Sequence, residues 1–149
     1  MEPMAQQLPP LFAGDKDLAQ VLRDYVATVR AETGLNAVIH VRGERQVPRV
    51  VKEGVCCIVR ETLVNVVEHA HAARVAIAIN YADDGISLRV VDDGQGFQMR
   101  QPLDPAWRGL LKMTECAKAL GGDLTIQSNI GEGTTVSAIL TFQAIEPCL

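Results

Sequence analysis

Long apolar runs are missing from this sequence. None approaches the roughly 20 residues that a membrane-spanning helix needs, which excludes a bilayer span. No basic segment followed by an apolar stretch opens the chain, so no secretory signal is read there. An excess of positive charge is missing too. With 14 basic against 18 acidic side chains and a formal net charge of −4, the chain is not expected to bind nucleic acid, which requires clustered Lys and Arg. The four cysteines, Cys56, Cys57, Cys116 and Cys148, include no C-x-x-C pair, which removes the usual zinc and dithiol motifs. Adjacent Cys56 and Cys57 do not readily bridge each other. A reduced, cytosolic setting is expected, with the thiols read as small packing residues and a reactive or metal-bound thiol as the alternative. Internal repeats and low-complexity segments are absent as well.

What is present is enough for one ordinary core. The 149 residues are 48% hydrophobic and 21% charged, which supports a single domain. Residues 1–14, with Pro3, Pro9, Pro10 and Gly14, read as a flexible leader, residues 15–143 as the domain, and residues 144–149 as a tail. Asp15 or Asp17 can cap a helix running to about Thr33, with Leu18, Val21, Leu22, Tyr25, Val26 and Val29 as its apolar stripe and Gly34 as its stop. Ala37 to Val41 alternates like a strand. Pro48 opens a second helix, from about Arg49 to His71. Ala73–Tyr81 and Ile86–Val91 form a hairpin around Asp83-Asp84-Gly85. A third helix is expected over about Leu110 to Leu120, and a second hairpin joins Leu124–Ser128 to Thr134–Phe142. This order predicts an α+β fold, a two-layer sandwich in which helices cover one face of a mixed, largely antiparallel sheet.

The second helix has a polar face of an unusual kind. Glu61, Asn65 and His69 recur every four residues and drift only about 40° per step. A solvated stripe is the plain explanation, but Asn is a poor helix former. A carboxylate, an amide oxygen and an imidazole together suit a hard cation, its waters and a phosphate. Asp92-x-Gly94-x-Gly96 follows a strand, where glycines let backbone approach a flat ligand and the carboxylate can accept its hydrogen bond. Arg108-Gly109-Leu110 opens the third helix, whose N-terminal N–H groups suit an anion, and Gly131-Glu132-Gly133-Thr134 reads by itself as a turn.

Taken together and in this order, these segments resemble the ATP-binding fold shared by histidine kinases, type II topoisomerases, the ninety-kilodalton heat-shock chaperones and mismatch-repair ATPases. Ile58 to Ala70 is similar to the N box of that superfamily, and Val91 to Phe97 to its first glycine box. Gly109-Leu110-x-x-Met113-x-Glu115, Ala119-Leu120-Gly121-Gly122 and Gly131 to Thr134 are similar to its closing glycine boxes. The wording is nearest to sensor histidine kinases of the nitrate/nitrite-sensor and desaturase-thermosensor type, which Thr33-Gly34-Leu35 also fits.

The resemblance implies a Bergerat-type ATP-binding domain and a role for each matched residue. Asn65 would ligate Mg²⁺ on the ATP phosphates, the catalytic Glu61 would hold a metal-bound water or polarise the site, and His69 would lie near the phosphates. Asp92 would accept from the adenine amino group, Gly94 and Gly96 would shape the base pocket, and Thr134 would support Asp92. Gly109 and Leu110 would end a mobile lid that starts near Phe97. Trp107 stands where the family usually writes glycine, Cys116 where a basic residue usually follows Glu115, and Ile130 where a proline usually precedes Gly131.

Neither His40, His69 nor His71 matches a phosphoacceptor motif, so the chain is expected to be the catalytic module alone. It is expected to bind ATP or ADP without efficient autophosphorylation. The implied partners are a dimerisation and phosphoacceptor domain of a parent kinase and, through that parent, a response regulator. No direct membrane contact is expected, and the setting is cytoplasmic whether or not the parent is membrane-anchored. The alternatives are a serine-kinase anti-sigma factor of the same superfamily, a degenerate interaction domain, and a metal site at Glu61, His69 and His71.

Overall fold

The computed structural model describes residues 11, 13–96 and 105–141, apart from the side chains of 69–70 and 105–110. The first helix, α1 (Leu18–Thr33), starts where Asp17 accepts the Gln20 N–H at 3.2 Å, so Asp17 and not Asp15 is the cap. All six residues of the expected stripe are buried. Gly34 closes the helix in the left-handed region at φ 75°, its N–H returning to the Arg30 carbonyl at 3.0 Å. Asp17→Ala is expected to lower stability by about 1 kcal/mol, seen as an earlier urea midpoint at unchanged slope, with Asp17→Asn restoring most of it.

The remaining elements are β1 (Asn36–Arg42), α2 (Arg49–Asn65), β2 (Arg74–Tyr81), β3 (Gly85–Asp92), α3 (Pro105–Ala119), β4 (Asp123–Ser128) and β5 (Thr134–Thr141). They form one five-stranded sheet of order β1-β2-β3-β5-β4. β1 and β2 run parallel, with α2 as the crossover that parallel neighbours need, and the other three pairs are antiparallel. Alternation places Ile77, Val90, Val136 and Ile126 in one row across four strands, and Ile79, Leu88, Ala138 and Leu124 in the next. These rows belong to the core, which α2 enters with Val51, Val55, Ile58, Val59 and Leu63, and α3 with Met113 and Ala117. The opposite side of the sheet presents Arg89, Val91 and Ile139 to solvent. The two-layer α+β expectation agrees with this architecture.

Two boundaries and the type of one helical turn differ from expectation. Leu11 and Ala13, assigned to the leader, are buried in the core, and the Gly14 N–H donates to the Glu53 carboxylate at 3.2 Å. Two apolar side chains have ample reason to leave water, so the packed unit reaches back to Leu11. The second helix ends in a wider π-turn over Val66–Ala70, and His71 leaves it at φ 50°. The third helix begins at Pro105, not Leu110, because Pro suits a first helical position with its fixed φ and missing N–H. Gly109 and Leu110 therefore lie in the second turn, where N–H groups join the helix ladder, and the free N–H groups move to Ala106 and Trp107. The expected lid from Phe97 falls largely on residues 97–104, outside the described residues.

Candidate functional site

The apolar rows of the sheet end in a polar one. Register sets Val75 beside Asp92, Asp92 beside Thr134, and Thr134 beside Ser128, all on the face that carries the core. Asp92 is only 7% exposed. Its Oδ1 accepts the Gly94 N–H at 2.8 Å. Burial pushes this carboxyl above its ordinary value, and the N–H groups of Gly94 and Thr134 pull it back only in part. A buried carboxylate with acceptor capacity to spare is costly to keep, which is the usual mark of a group reserved for a ligand.

The neighbouring Asp93 does a different job. Its Oδ1 takes the N–H groups of Ala73 and Arg74 at 2.9 Å each, and those N–H groups hold its carboxyl below the ordinary value. Strand periodicity separates the two: Asp92 continues the inward series of Leu88 and Val90, and Asp93 lies just past the strand end. Asp93 thereby pins the start of β2 to the end of β3.

Two glycines let distant turns close on Asp92. Gly96 has φ 67°, and a Cβ there would lie 2.0 Å from the Asn129 carbonyl oxygen. Gly133 has φ 77°, and a Cβ there would lie 2.2 Å from the Asp92 carbonyl oxygen. The Gly131 N–H donates to the Gln95 carbonyl at 2.6 Å, so the Asp92–Gly96 loop and the β4–β5 turn form one wall. Thr134 Oγ1 and Ser128 Oγ lie 2.8 Å apart, and Ser128 also donates to the Gly133 carbonyl at 3.3 Å. Thr134 thus supports Asp92 through its backbone, while its hydroxyl is engaged by Ser128. Ser128 escaped sequence reasoning because a lone serine at a strand end carries no signal until register is known.

Glu61 and Asn65 lie on the last two turns of α2. The Glu61 side chain is 12% exposed, and its Oε1 accepts Lys112 Nζ at 2.9 Å and lies 3.5 Å from Arg60 Nη1. This contact raises the Lys112 ammonium above its ordinary value. Lys112 is a second residue that the sequence did not single out, since nothing along the chain couples α2 to α3. Asn65 is half-buried at the last α-helical position. The chain then passes through the π-turn, which holds the His69 backbone, and reaches Ala73, the residue Asp93 grips. The C-terminal ends of α2 and β3 are therefore joined at the same end of the domain. Antiparallel packing of α3 along α2, with Lys112 on Glu61 and Met113 Sδ 3.0 Å from Thr62 Oγ1, sets Gly109 level with the Asn65 turn.

Purine-nucleotide chemistry suits this donor set. A buried acceptor with capacity to spare fits a flat base carrying an amino donor. An amide and a carboxylate one helical turn apart supply oxygen ligands of the kind Mg²⁺ and its waters take. Among the described residues, no helix is long and apolar enough to cross a membrane.

Comparison with known proteins agrees. Residues 51–144 match the family described as histidine kinase-, DNA gyrase B-, and HSP90-like ATPase. The sensor protein VraS of Staphylococcus aureus is 27% identical over 136 residues, covering 91% of this chain and 39% of that protein. The chain thus spans about two fifths of that relative. Among solved structures, the histidine kinase domain of the Erythrobacter litoralis EL346 blue-light activated histidine kinase superposes with a TM-score of 0.69 at 17% identity. That match covers 94% of this chain and 70% of the other. The mycobacterial sensor histidine kinase MprB gives 0.64 at 18% identity, covering 84% and 94% respectively. Family match, fold and the chemistry at Asp92 converge: the chain belongs to the histidine kinase-, DNA gyrase B- and HSP90-like ATPase family, as an ATP-binding catalytic module of the kind found in sensor histidine kinases.

Proposed function

We propose that this module binds ATP with Mg²⁺ and serves a parent kinase that phosphorylates a histidine on a separate dimerisation and phosphoacceptor domain, then an aspartate on a response regulator. The observation that carries the reading is the polar row at Asp92, a buried carboxylate at the end of the sheet's core face, held by the Gly94 and Thr134 N–H groups with acceptor capacity left over. Asp92 accepts from the adenine amino group, and Gly94 and Gly96 shape the base pocket, Gly96 by letting the loop close against the β4–β5 turn. Thr134 and Ser128 hold the wall behind Asp92. Asn65 offers its amide oxygen to the metal, His69 lies on the phosphate side, and Gly109 and Leu110 flank the phosphates from α3. Glu61, once released from Lys112, holds a metal-bound water or polarises the site. When bound, ATP supplies the phosphoryl group and Mg²⁺ the charge neutralisation on which such transfer depends.

The sensor-protein relatives favour a histidine kinase over the serine-kinase alternative. Thr33-Gly34-Leu35, the helix stop before β1, supports membership of the nitrate/nitrite-sensor and desaturase-thermosensor subgroup. ATP is a cytoplasmic substrate, so the module works in the cytoplasm, and the parent can be membrane-anchored.

Calorimetric titration of ADP with and without Mg²⁺ tests the reading. The native chain should bind, and more tightly with Mg²⁺. Asn65→Ala should weaken Mg²⁺-dependent binding by roughly tenfold or more, equivalent to about 1.4 kcal/mol, while leaving binding in chelator nearly unchanged. No binding by the native chain would end the proposal, and an Asn65→Ala protein with its full response to Mg²⁺ would remove Asn65 as ligand.

A further inference from the structure

Cys57 and Cys116 face each other across α2 and α3 with their sulfurs 2.6 Å apart. Cys57 lies four residues before Glu61, and Cys116 four residues after Lys112. The thiols are thus the next rung of the antiparallel register that joins Glu61 to Lys112, one helical turn, about 5.4 Å, along both helices. Both cysteines are partly exposed, whereas adjacent Cys56 is fully buried in the core. We propose that Cys57 and Cys116 form a reversible redox modification site, oxidised by low-molecular-weight disulfides to a bond that locks α3 onto α2 beside Glu61.

The exchange balances as two displacements. The Cys116 thiolate attacks one sulfur of the small disulfide, breaking its S–S bond and releasing one thiolate, which leaves a mixed disulfide. Cys57 then attacks the Cys116 sulfur and expels the second small thiol, its own proton passing to that leaving group. The protein loses two electrons and two protons, and the small disulfide gains them as two thiols. Burial, then the Cys116 contact, raises the Cys57 thiol in the reduced pair.

The bond would hold Lys112 on Glu61 and fix α3 against the Asn65 turn. Oxidation should therefore weaken binding of ADP·Mg²⁺. This consequence rests on the nucleotide reading above, and the bond itself does not.

The intact chain is incubated with glutathione disulfide, digested without reduction and mapped by mass spectrometry, then titrated with ADP·Mg²⁺ in both redox states. A Cys57–Cys116 linked peptide is expected, lost in Cys116→Ser and in Cys57→Ser and retained in Cys148→Ser. The dissociation constant should rise at least about fivefold on oxidation, the low end of ordinary coupling between sites, and return with dithiothreitol. In Cys116→Ser it should not respond. Absence of the linked peptide, or links spread equally to Cys148, overturns the site; a linked protein with unchanged affinity overturns the lock. If the reduced protein binds no nucleotide, the nucleotide reading fails, and the site is decided by the linked peptide alone.

Discussion

Asp92→Asn is expected to weaken adenine-nucleotide binding by about 10- to 150-fold, and to unfold no more easily than the native chain at neutral pH. The binding loss follows from the hydrogen-bond accounting. In the native site the carboxylate accepts the Gly94 N–H at Oδ1 and also interacts with the Thr134 N–H, which leaves part of its acceptor capacity for a ligand. Asparagine has one oxygen, and it must stay with the backbone donors of Gly94 and Thr134, because leaving a buried N–H unpaired costs about 1–3 kcal/mol. Its NH₂ then faces the ligand, donor against donor. Losing a hydrogen bond to a charged acceptor is worth about 1.5–3 kcal/mol, which is the stated range in affinity.

The stability prediction has the opposite sign. Burial raises the Asp92 carboxyl above 3.8 in the folded chain, so the folded state holds this proton more firmly than the unfolded one. As pH rises through the window from 3.8 to the raised value, this group makes folding less favourable, and above that window the full penalty of a buried charge applies. The neutral amide escapes it. Asp92→Asn should therefore gain stability relative to the native chain across that window, hold the gain at neutral pH, and show none below it. Urea unfolding at several pH values, alongside calorimetry with ADP, reads both effects. Native-like ADP affinity in Asp92→Asn would refute the adenine contact. A marked loss of stability at neutral pH would show that the carboxylate is there for the fold.

Gly133→Ala is expected to lower stability by about 2–5 kcal/mol and to abolish nucleotide binding with it. Gly133 combines φ 77° with a Cβ position 2.2 Å from the Asp92 carbonyl oxygen. The left-handed conformation costs a non-glycine residue about 1–2 kcal/mol, and the overlap adds the strain typical of overpacking, about 1–3 kcal/mol. The obstructing atom is backbone at the end of the β3–β5 pairing, so relief requires Asp92 to move. Gly131→Ala is the control. It has φ 85° but open space around its Cβ, so it should lose only about 1–2 kcal/mol and bind nucleotide normally. Urea midpoints and ADP titrations of the two variants separate backbone strain from collapse of the site. Equal behaviour of the two would mean that the close approach at Asp92 has no consequence.

Much of the fold was legible because it depends on neighbours along the chain. The α1 stripe, its stop at Gly34 and the alternation in β2 and β3 follow from 3.6- and 2-residue periods, which apolar residues report directly. The nucleotide residues were legible through the order of their motifs, in a chain whose separate motifs are each weak. The start of α3 was misjudged because Gly109 resembles a helix entrance and Pro105 resembles a loop. The π-turn at Val66–Ala70 has no period long enough to announce itself.

Local pattern, then, by itself determined most of the element types, the place of Asp92 at the end of a strand and the family to which the chain belongs. Only the tertiary structure decided that Asp92 has Thr134 and, one strand further, Ser128 in its row, that Asp93 is a stitch and not a second ligand group, and that Glu61 meets Lys112 one rung from the Cys57–Cys116 pair. The physical reason is range. Periodicity is a property of the backbone within a few residues, whereas strand register and helix pairing are chosen by burial of the whole apolar face, between residues as much as 59 positions apart.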